Sequence, residues 1–372
     1  MKTTMKTFLG FVVCVSLSFA TGTAQFRVEG PEAPGHLFQG MDSVGDWIDI
    51  SPQWLAGSSP TQASFRPGSP EMLFVGTCLD GLCYSLTQGN TWYREYTDFY
   101  VDQGIPSTWV RDVLFWEQNP MIGVAGTMSG TYWTDNGGLT WNAHSIFMDQ
   151  PCMCSMILQV PNDDSIAVCL DITNNLYIYR WASMTWDPGI AITNSSQPSS
   201  MSFDAGDPPT LYIATQPTGI VFTKNLGQSF VIFSAGLPAM VPIVVCADPV
   251  IPGQVIVTEG PDLYRTTIGP KGNKAKVWFP YGTGLPGTNI LSLIHDPVHP
   301  NRMYAGTMSN GVYVSYDRGA HWHPMTVQGM THCSIVDVAV NPEDPDTLYA
   351  SGHSGGPTSG GFYKTTIPFV KP

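Results

Sequence analysis

An aromatic residue recurs along this chain at a nearly constant spacing, and this repeat limits the fold more than any single motif does. Successive copies are 45, 49, 45, 44, 48 and 44 residues apart, and the seven positions are Trp47, Trp92, Trp141, Trp186, Phe230, Trp278 and Trp322. A constant period of this length is typical of folds in which one small unit repeats and packs against its neighbours. The chain is therefore predicted to contain seven such units.

The segment before each aromatic residue has the same order of strands and turns. In RMYAGTMSNGVYVSYDRGAHW (302–322), two β-branched and aromatic strands alternate with glycine-containing turns and lead to a strand that begins at Trp322. A further strand comes earlier, as in ILSLIHDP (290–297), which ends at an Asp-Pro turn. Four short antiparallel strands in each period predict the blade of a β-propeller.

The two ends of the chain complete the same count. The last repeat ends where its fourth strand is expected to start, and the segment GDWIDISP around Trp47 supplies one strand without the rest of a repeat. We expect this N-terminal strand to pair with the last blade, which closes the ring and removes exposed sheet edges. With 38 Gly, 31 Pro and no sustained helical periodicity, the prediction is an all-β, seven-bladed β-propeller of four-stranded antiparallel blades over residues 44–372.

The N-terminal segment has the pattern of a secretory signal peptide. Two lysines precede an apolar stretch from Phe8 to Ala20, and small residues follow it. The apolar stretch is shorter than the roughly 20 residues that a transmembrane helix needs. We predict a signal peptide over residues 1–24, an extended leader over 25–43, and export as a secreted or periplasmic protein.

The charge of the chain excludes some classes of partner. The formal net charge is −13, and removal of the signal peptide with its two lysines makes it −15. An acidic surface with few Lys and Arg residues argues against binding to nucleic acid or to an anionic membrane.

Cysteines give one pairing and leave the others open. Cys78 and Cys83 flank the turn sequence Leu79–Leu82, and we expect them to form a disulfide across a hairpin. No C-x-x-C pair occurs, so the usual spacing of structural zinc sites is absent and no metal is predicted. The stretch CMCSM (152–156) has soft ligands that suit Cu(I), but buried cysteines or a disulfide are the preferred explanation.

The turn before Trp322 resembles a known repeat motif. Ser315, Asp317, Gly319 and Trp322 are spaced as in the Asp-box, or BNR repeat, of sialidases, sortilin-type receptors, xyloglucanases and photosystem II assembly-factor propellers, and Asn136, Gly138 and Trp141 form a degenerate copy. The resemblance covers essentially the whole chain after the signal peptide. It implies a structural turn, on the face opposite the functional one, in which Asp or Asn accepts main-chain N–H bonds, Gly adopts a positive φ and Trp packs between blades.

The same resemblance places a functional site on the other face of the ring. That face is formed by the loops that enter the blades and by the turns between second and third strands. The residues predicted for its rim are Asp80, Tyr96, Tyr100, Trp109, His332 and His353. Aligned positions on the first strands, which are expected to line the central channel, are Gln62, Asp112, Met156, Ser200, Val244, Ser292 and Asp337.

Among enzymes, a standard sialidase does not fit. Members of that family bind a substrate carboxylate with three arginines, whereas Arg111 alone falls on the predicted functional face and Arg66 falls at the wrong end of its strand. A glycosidase is harder to exclude, because Asp112 and Asp337 occupy equivalent positions and two carboxylates suffice for acid/base hydrolysis. Arg111, the tyrosines and the histidines also supply the residue types of a polysaccharide lyase.

The sequence therefore favours a binding function over catalysis. We predict an exported, monomeric propeller that binds a protein, peptide or glycan and needs no cofactor. The alternative is a carbohydrate-active enzyme that uses Asp112, Asp337 and Arg111. Carboxylates that are only solvated residues of the channel rim give the same sequence pattern.

Overall fold

The computed structural model describes residues 46–52, 55, 58–95, 109–144, 153–192, 197–267, 277–353 and 360–367. The predicted signal peptide and leader, and the rim residues Tyr96 and Tyr100, lie outside this part of the chain. Within it, the secondary structure consists of strands and turns without an α-helix, as predicted. The described residues thus contain no helix long and apolar enough to cross a membrane.

Strands form seven small antiparallel sheets, each a blade of the ring. The N-terminal strand is β1 (Ile48–Asp49). Blade 1 has β2 (Pro60–Phe65), β3 (Leu73–Thr77), β4 (Leu82–Ser85) and β5 (Tyr93–Glu95). Blade 2 has β6 (Val110–Trp116), β7 (Asn119–Thr127), β8 (Gly130–Thr134) and β9 (Asn142–Ala143). Blade 3 has β10 (Cys154–Gln159), β11 (Ile166–Asp171), β12 (Asn175–Arg180), β13 (Thr185–Trp186) and β14 (Ile190–Ala191).

The remaining four blades follow in chain order. Blade 4 has β15 (Gln197–Phe203), β16 (Leu211–Gln216), β17 (Gly219–Thr223) and β18 (Val231–Ile232). Blade 5 has β19 (Val245–Ala247), β20 (Gln254–Glu259), β21 (Asp262–Thr267) and β22 (Phe279–Tyr281). Blade 6 has β23 (Ile290–His295), β24 (Met303–Thr307), β25 (Val312–Ser315) and β26 (His323–Pro324). Blade 7 has β27 (Ser334–Asn341), β28 (Asp344–His353) and β29 (Gly360–Thr366).

The N-terminal strand completes blade 7, which confirms the predicted ring closure. In β1, Ile48 pairs with Lys364 and Asp49 with Tyr363, both antiparallel. Trp47 fixes this strand, because its main-chain N–H donates to Gln328 O at 2.9 Å and its indole N–H donates to Thr326 O at 2.9 Å. The first strand of the fold therefore bonds to the last, and blade 7 has no unpaired outer edge at β29.

The outer strand of blade 3 departs from the four-stranded pattern. It is split into β13, which pairs with the end of β12, and β14, which pairs with the start of β12. The interruption falls at Asp187–Gly189, where Pro188 has no main-chain N–H to donate to a neighbouring strand. Blade 3 thus has five strands in the described residues.

The hydrophobic core lies between the blades. The described residues form seven apolar clusters, and each joins side chains from two adjacent blades. Between blades 4 and 5, for example, Tyr212 and Phe222 pack with Val257 and Trp278. Burying each such side chain contributes about 1.5–3 kcal/mol relative to leaving it exposed. The repeat is stable because every blade buries both of its faces against neighbours.

The turn around Asp317 has the geometry that its sequence predicted. The Asp317 carboxylate accepts the Ser315 hydroxyl at 2.8 Å and the His321 main-chain N–H at 2.9 Å. Gly319 adopts φ +87°, and its N–H donates to Ser315 Oγ at 2.9 Å. The indole N–H of Trp322 donates to Gly319 O at 2.9 Å. The side chains of this turn therefore satisfy its main-chain N–H groups.

Three other blades contain the same turn. In blade 2, Asn136 accepts the Thr140 N–H at 3.0 Å, Gly138 adopts φ +87° and Trp141 donates to Gly138 O. The corresponding glycines of blades 1 and 4, Gly89 and Gly227, adopt φ +87° and +89°. These four turns connect third and fourth strands at the outside of the ring.

The expected Cys78–Cys83 disulfide stays a prediction. In the register of β3 and β4, Cys83 lies opposite Val75, and Cys78 lies beyond the last paired residue, at the turn. The Cys78 main-chain N–H donates to Ser59 O at 2.9 Å, which holds this residue toward the entry segment of blade 1. Cys83 therefore lies within the β3–β4 ladder and Cys78 lies at the turn that follows β3.

Candidate functional site

A cavity of about 520 Å³ occupies the centre of the ring. Residues from all seven blades line it, most of them on the first strands β2, β6, β10, β15, β19, β23 and β27. Its size lies within the range of pockets that hold small ligands or short segments of a polymer. The cavity is therefore the candidate site.

Hydroxyl and apolar side chains form most of the cavity wall. The hydroxyl groups come from Ser59, Thr61, Ser155, Ser199, Ser200, Ser202 and Ser292. Apolar groups alternate with them, among them Met156, Leu158, Met201 and Val244. Such a wall offers hydrogen bonds without a strong charge.

Four first-strand residues reach across to the neighbouring blade. The Asp112 Oδ2 atom accepts the Ile157 N–H at 2.7 Å, and Asp337 Oδ2 accepts the Ala63 N–H at 3.0 Å. The Ser200 and Ser292 hydroxyl oxygens accept the N–H groups of Val245 at 3.3 Å and Val338 at 3.2 Å. We call these four bonds the inter-blade links. Asp and Ser thus have one role at equivalent positions of different blades.

A β-bulge explains why these side chains reach the next blade. The pairing of each first strand with its second strand shifts by one residue just before the linking residue, at Val110/Asp112, Pro198/Ser200, Ile290/Ser292 and Ile335/Asp337. A bulge redirects the side chain that follows it and increases the local twist. The aligned first-strand positions are therefore placed by a repeated backbone irregularity.

The two linking carboxyl groups differ in exposure. Asp112 is 3% exposed and is not part of the cavity wall, whereas Asp337 is partly exposed and lines the cavity. Burial raises the pKa of Asp112 to about 7, against the Ile157 and Val113 N–H groups, which lower it. Burial also raises the pKa of Asp337 to about 6. The structure thus places one of the two carboxyl groups at the cavity and the other behind its wall.

Trp109, Arg111 and His353 bring polar groups to the cavity wall. The guanidinium carbon of Arg111 lies 5.6 Å from the centroid of the Trp109 ring, a cation–π distance. The Trp109 indole N–H is buried and has no hydrogen-bond partner among the described residues. His353 is 7% exposed, and burial together with nearby His332 lowers its pKa, which favours the neutral ring.

Two other rim residues predicted from sequence, His332 and Asp80, are not part of the cavity wall. The His332 main-chain N–H donates to the Tyr363 hydroxyl at 3.0 Å, and its ring Nδ1 lies 3.1 Å from the same oxygen. Asp80 belongs to the turn between β3 and β4, where its N–H donates to Thr77 Oγ1 at 2.8 Å. Of the predicted catalytic and rim residues that are described, Trp109, Arg111, Asp337 and His353 line the cavity. Six of the seven aligned first-strand positions also line it, namely Gln62, Met156, Ser200, Val244, Ser292 and Asp337, whereas Asp112 does not.

The sequence interpretation missed the hydroxyl character of the site. The alignment of first strands placed Ser200 and Ser292 along the central channel but assigned no role to their hydroxyl groups, and Ser155, Ser199 and Ser202 were not considered. The recurrence of Ser and Asp at one aligned position was the available signal. In the described residues, no group of three or more His, Cys, Asp or Glu side chains has the proximity to hold a metal ion.

Comparison with known proteins gives a fold but no family. No protein-family model matches the chain, and no curated protein matches it. Among solved structures, YCF48 from Cyanidioschyzon merolae is 12% identical with a TM-score of 0.68, and the match covers 86% of this chain and 99% of that protein. A structure of YCF48 bound to D1 peptide is 11% identical with a TM-score of 0.62, over 88% and 100% of the two chains.

An enzyme also appears among the similar structures. The GH74 xyloglucanase from Xanthomonas campestris is 15% identical with a TM-score of 0.64, and the match covers 88% of this chain but 55% of the enzyme. The chain thus spans about half the length of that protein. At such low identity, these similarities establish the architecture alone. The chain is a seven-bladed β-propeller, similar in fold to YCF48 and to part of a GH74 enzyme.

Proposed function

We propose that this protein is an exported Asp-box propeller that binds an extended segment of a peptide or glycan in its central cavity. The observation that carries the proposal is the cavity itself, about 520 Å³ in volume and lined by hydroxyl and apolar groups from every blade. A site of this composition recognises a ligand through shape and neutral hydrogen bonds.

The repeat type is supported by the four outer turns. Each has a glycine at φ between +87° and +89°, preceded by a side-chain oxygen that accepts main-chain N–H bonds. These features are the ones that the resemblance to Asp-box proteins implies. In this proposal the turns have a structural role, and the ligand binds in the central cavity.

The indole N–H of Trp109 supports a ligand that carries acceptor oxygens. Leaving a buried donor without a partner costs about 1–3 kcal/mol, and a carbonyl of a peptide or a hydroxyl of a sugar removes this cost on binding. Arg111 and His353 add donors or acceptors on the same wall. We favour a peptide, because a similar propeller, YCF48, has been solved bound to a peptide.

The test is a binding screen against arrays of synthetic peptides and of oligosaccharides, repeated with Trp109→Phe and Arg111→Met. Trp109→Phe keeps an aromatic ring and removes the N–H, so a fall in affinity of about tenfold corresponds to the loss of one hydrogen bond. Arg180→Met is the control, because Arg180 is exposed on the third strand of blade 3 and pairs with Asp187. Equal binding by all four proteins would refute the proposed site.

A second candidate function, a carbohydrate-active enzyme, rests on Asp337. This carboxyl lines the cavity and has a pKa raised to about 6, a property that general acids of glycosidases share. Its partner in the sequence-based hypothesis, Asp112, lies behind the wall. The binding function is therefore preferred, and assays of polysaccharide cleavage with Asp337→Asn distinguish the two.

A further inference from the structure

Two cysteines of blade 3 lie in direct contact inside the protein. The Sγ atoms of Cys154 on β10 and Cys169 on β11 are 3.0 Å apart. Both residues are 0% exposed and belong to the apolar cluster between blades 2 and 3. Thiols this close need a displacement of only about 1 Å to reach the length of a disulfide bond.

The register of the two strands explains the contact. Cys169 lies opposite Ile157, and Cys154 lies opposite Asp171, with a bulge between Cys154 and Met156. Residues 169 and 171 share one face of β11, so the bulge places Cys154 on the face that carries Cys169. Without the extra residue, Ser155 would occupy that position and Cys154 would face the other way.

We propose that Cys154 and Cys169 form a disulfide bond in the mature protein. In this step each thiol loses its hydrogen, an S–S bond forms between the two sulfur atoms, and an external disulfide such as oxidised glutathione is reduced to two thiols. Adjacent strands that bring two side chains together on one face meet the geometric requirement for such a bond.

The groups around the Cys169 thiol indicate at which stage of folding the Cys154–Cys169 disulfide forms. Burial raises the pKa of the Cys169 thiol, and the neighbouring Asp171 and Asp112 carboxyl groups act in the same direction. The thiolate, which is the reactive form, is therefore rare once the blades have packed. Exchange with an external disulfide must take place before blade 2 covers blade 3, and the finished bond is then shielded from reductants.

The bond would fix one wall of the cavity. Ser155 and Met156, the two residues after Cys154, line the cavity, and the next residue, Ile157, donates to the Asp112 carboxyl. A link between Cys154 and Cys169 therefore holds the start of β10, the bulge and one inter-blade link in a single arrangement. This role is independent of the identity of the ligand.

Peptide mapping tests the proposal directly on the unmodified sequence. The full chain is folded in a buffer of reduced and oxidised glutathione, denatured without reductant, alkylated and digested. We expect a cross-linked pair of peptides that contains Cys154 and Cys169, with two hydrogens fewer than the separate peptides. Alkylation of both residues, or a cross-link from either one to Cys152 or another cysteine, would overturn the proposal.

Substitution gives a second, independent readout. The melting temperature of the folded wild-type protein should fall by several degrees when it is refolded with excess dithiothreitol, because the reduced chain loses the constraint on its unfolded state. The double variant Cys154→Ala/Cys169→Ala should show no dependence on the reductant. Cys246→Ala, which alters another buried cysteine, should respond as the wild type does. If the double variant does not fold, the peptide map alone decides.

Discussion

Aspartates at the outside and at the centre of the ring both accept main-chain N–H bonds, but their donors lie at very different separations along the sequence. Asp317 accepts the N–H of His321, four residues away in its own turn. Asp112 accepts the N–H of Ile157, 45 residues away, and Asp337 that of Ala63, 274 residues away. The outer bonds shape a turn within one blade, whereas the inner bonds join one blade to the next.

The outer and inner aspartates also differ in the direction of their pKa shifts. Burial alone raises the pKa of Asp317, but hydrogen bonds from His321 and Ser315 outweigh it and leave the pKa below its ordinary value. For Asp112 burial prevails over two N–H bonds, and the pKa is about 7. A hydrogen-bonded carboxylate thus favours its charged form at the surface and its protonated form in the interior.

The largest expected effect is an opposite dependence of stability on pH in the two regions. Because the pKa of Asp112 rises from 3.8 to about 7 on folding, the stability it contributes is present below about pH 4 and is lost as the pH rises through 7. The shift corresponds to roughly 4 kcal/mol. The free energy of unfolding of wild type, relative to Asp112→Asn, should therefore fall over this range in urea titrations.

In the outer turn, the contribution of Asp317 to stability should change with pH in the opposite direction. The lowered pKa of Asp317 stabilises the protein above its ordinary pKa of 3.8, and this contribution is lost as the pH falls below it. Asp317→Asn should therefore lose stability relative to wild type near neutral pH and approach it in acid. Parallel pH profiles for the Asp112 and Asp317 variants would contradict the distinction.

Removal of a hydrogen-bond acceptor should lower the free energy of unfolding more at the centre of the ring than at its outside. Asp112→Ala leaves the buried N–H of Ile157 without its partner, and we expect a loss of about 2 kcal/mol in the free energy of unfolding. Asp112→Asn retains an acceptor oxygen and is the matched control. Equal losses for Ala and Asn would show that the link between blades 2 and 3 does not depend on the acceptor.

A smaller loss is expected in the outer turn. Asp317→Ala should cost about 1 kcal/mol, because the turn is partly exposed and water can replace the lost acceptor. Asn occupies the equivalent position in two other blades, as Asn136 and Asn225, so Asp317→Asn should cost less than Asp317→Ala at neutral pH. Urea denaturation of both variants at pH 7 gives the comparison.

The smallest effect is expected for the side-chain contact between His321 and Asp317 on the surface of that turn. His321 Nδ1 lies 2.6 Å from Asp317 Oδ2, but the side chain of His321 is 70% exposed. An exposed pair of this kind contributes about 0–1 kcal/mol, and salt weakens it. His321→Ala should lower stability by less than Asp317→Ala does, and the difference from wild type should shrink in 1 M sodium chloride.

The sequence predicted the features that depend on local interactions. The turn around Asp317, the number of blades and the closing strand at Trp47 were available from spacing, because the repeated unit brings its own turn residues and strand pattern. The bonds between blades could not be predicted from spacing, because a bulge decides where the side chains of Asp112 and Asp337 lie. The sequence interpretation therefore treated the two aspartates as solvated residues of the channel rim or, in the alternative, as a catalytic pair, whereas each bonds to the main chain of another blade.

The cysteines also show that spacing in the sequence does not predict contacts that depend on a bulge. Close spacing in the sequence favoured Cys78 and Cys83, and that pairing stays a prediction. Cys154 and Cys169 are 15 residues apart and gave no pairing signal, yet a bulge brings their sulfur atoms together. Sequence distance predicts a contact only where the pairing of the strands is regular.

The most direct test of the account is whether the cavity binds a ligand without converting it. Wild type and Asp337→Asn are incubated between pH 4 and pH 8 with the oligosaccharides and peptides that wild type binds, and both retained ligand and cleavage products are measured. We predict that both proteins bind and that neither releases products, because Asp337 links two blades. Turnover by wild type that Asp337→Asn abolishes, in a variant that remains folded, would contradict the account and identify a carbohydrate-active enzyme.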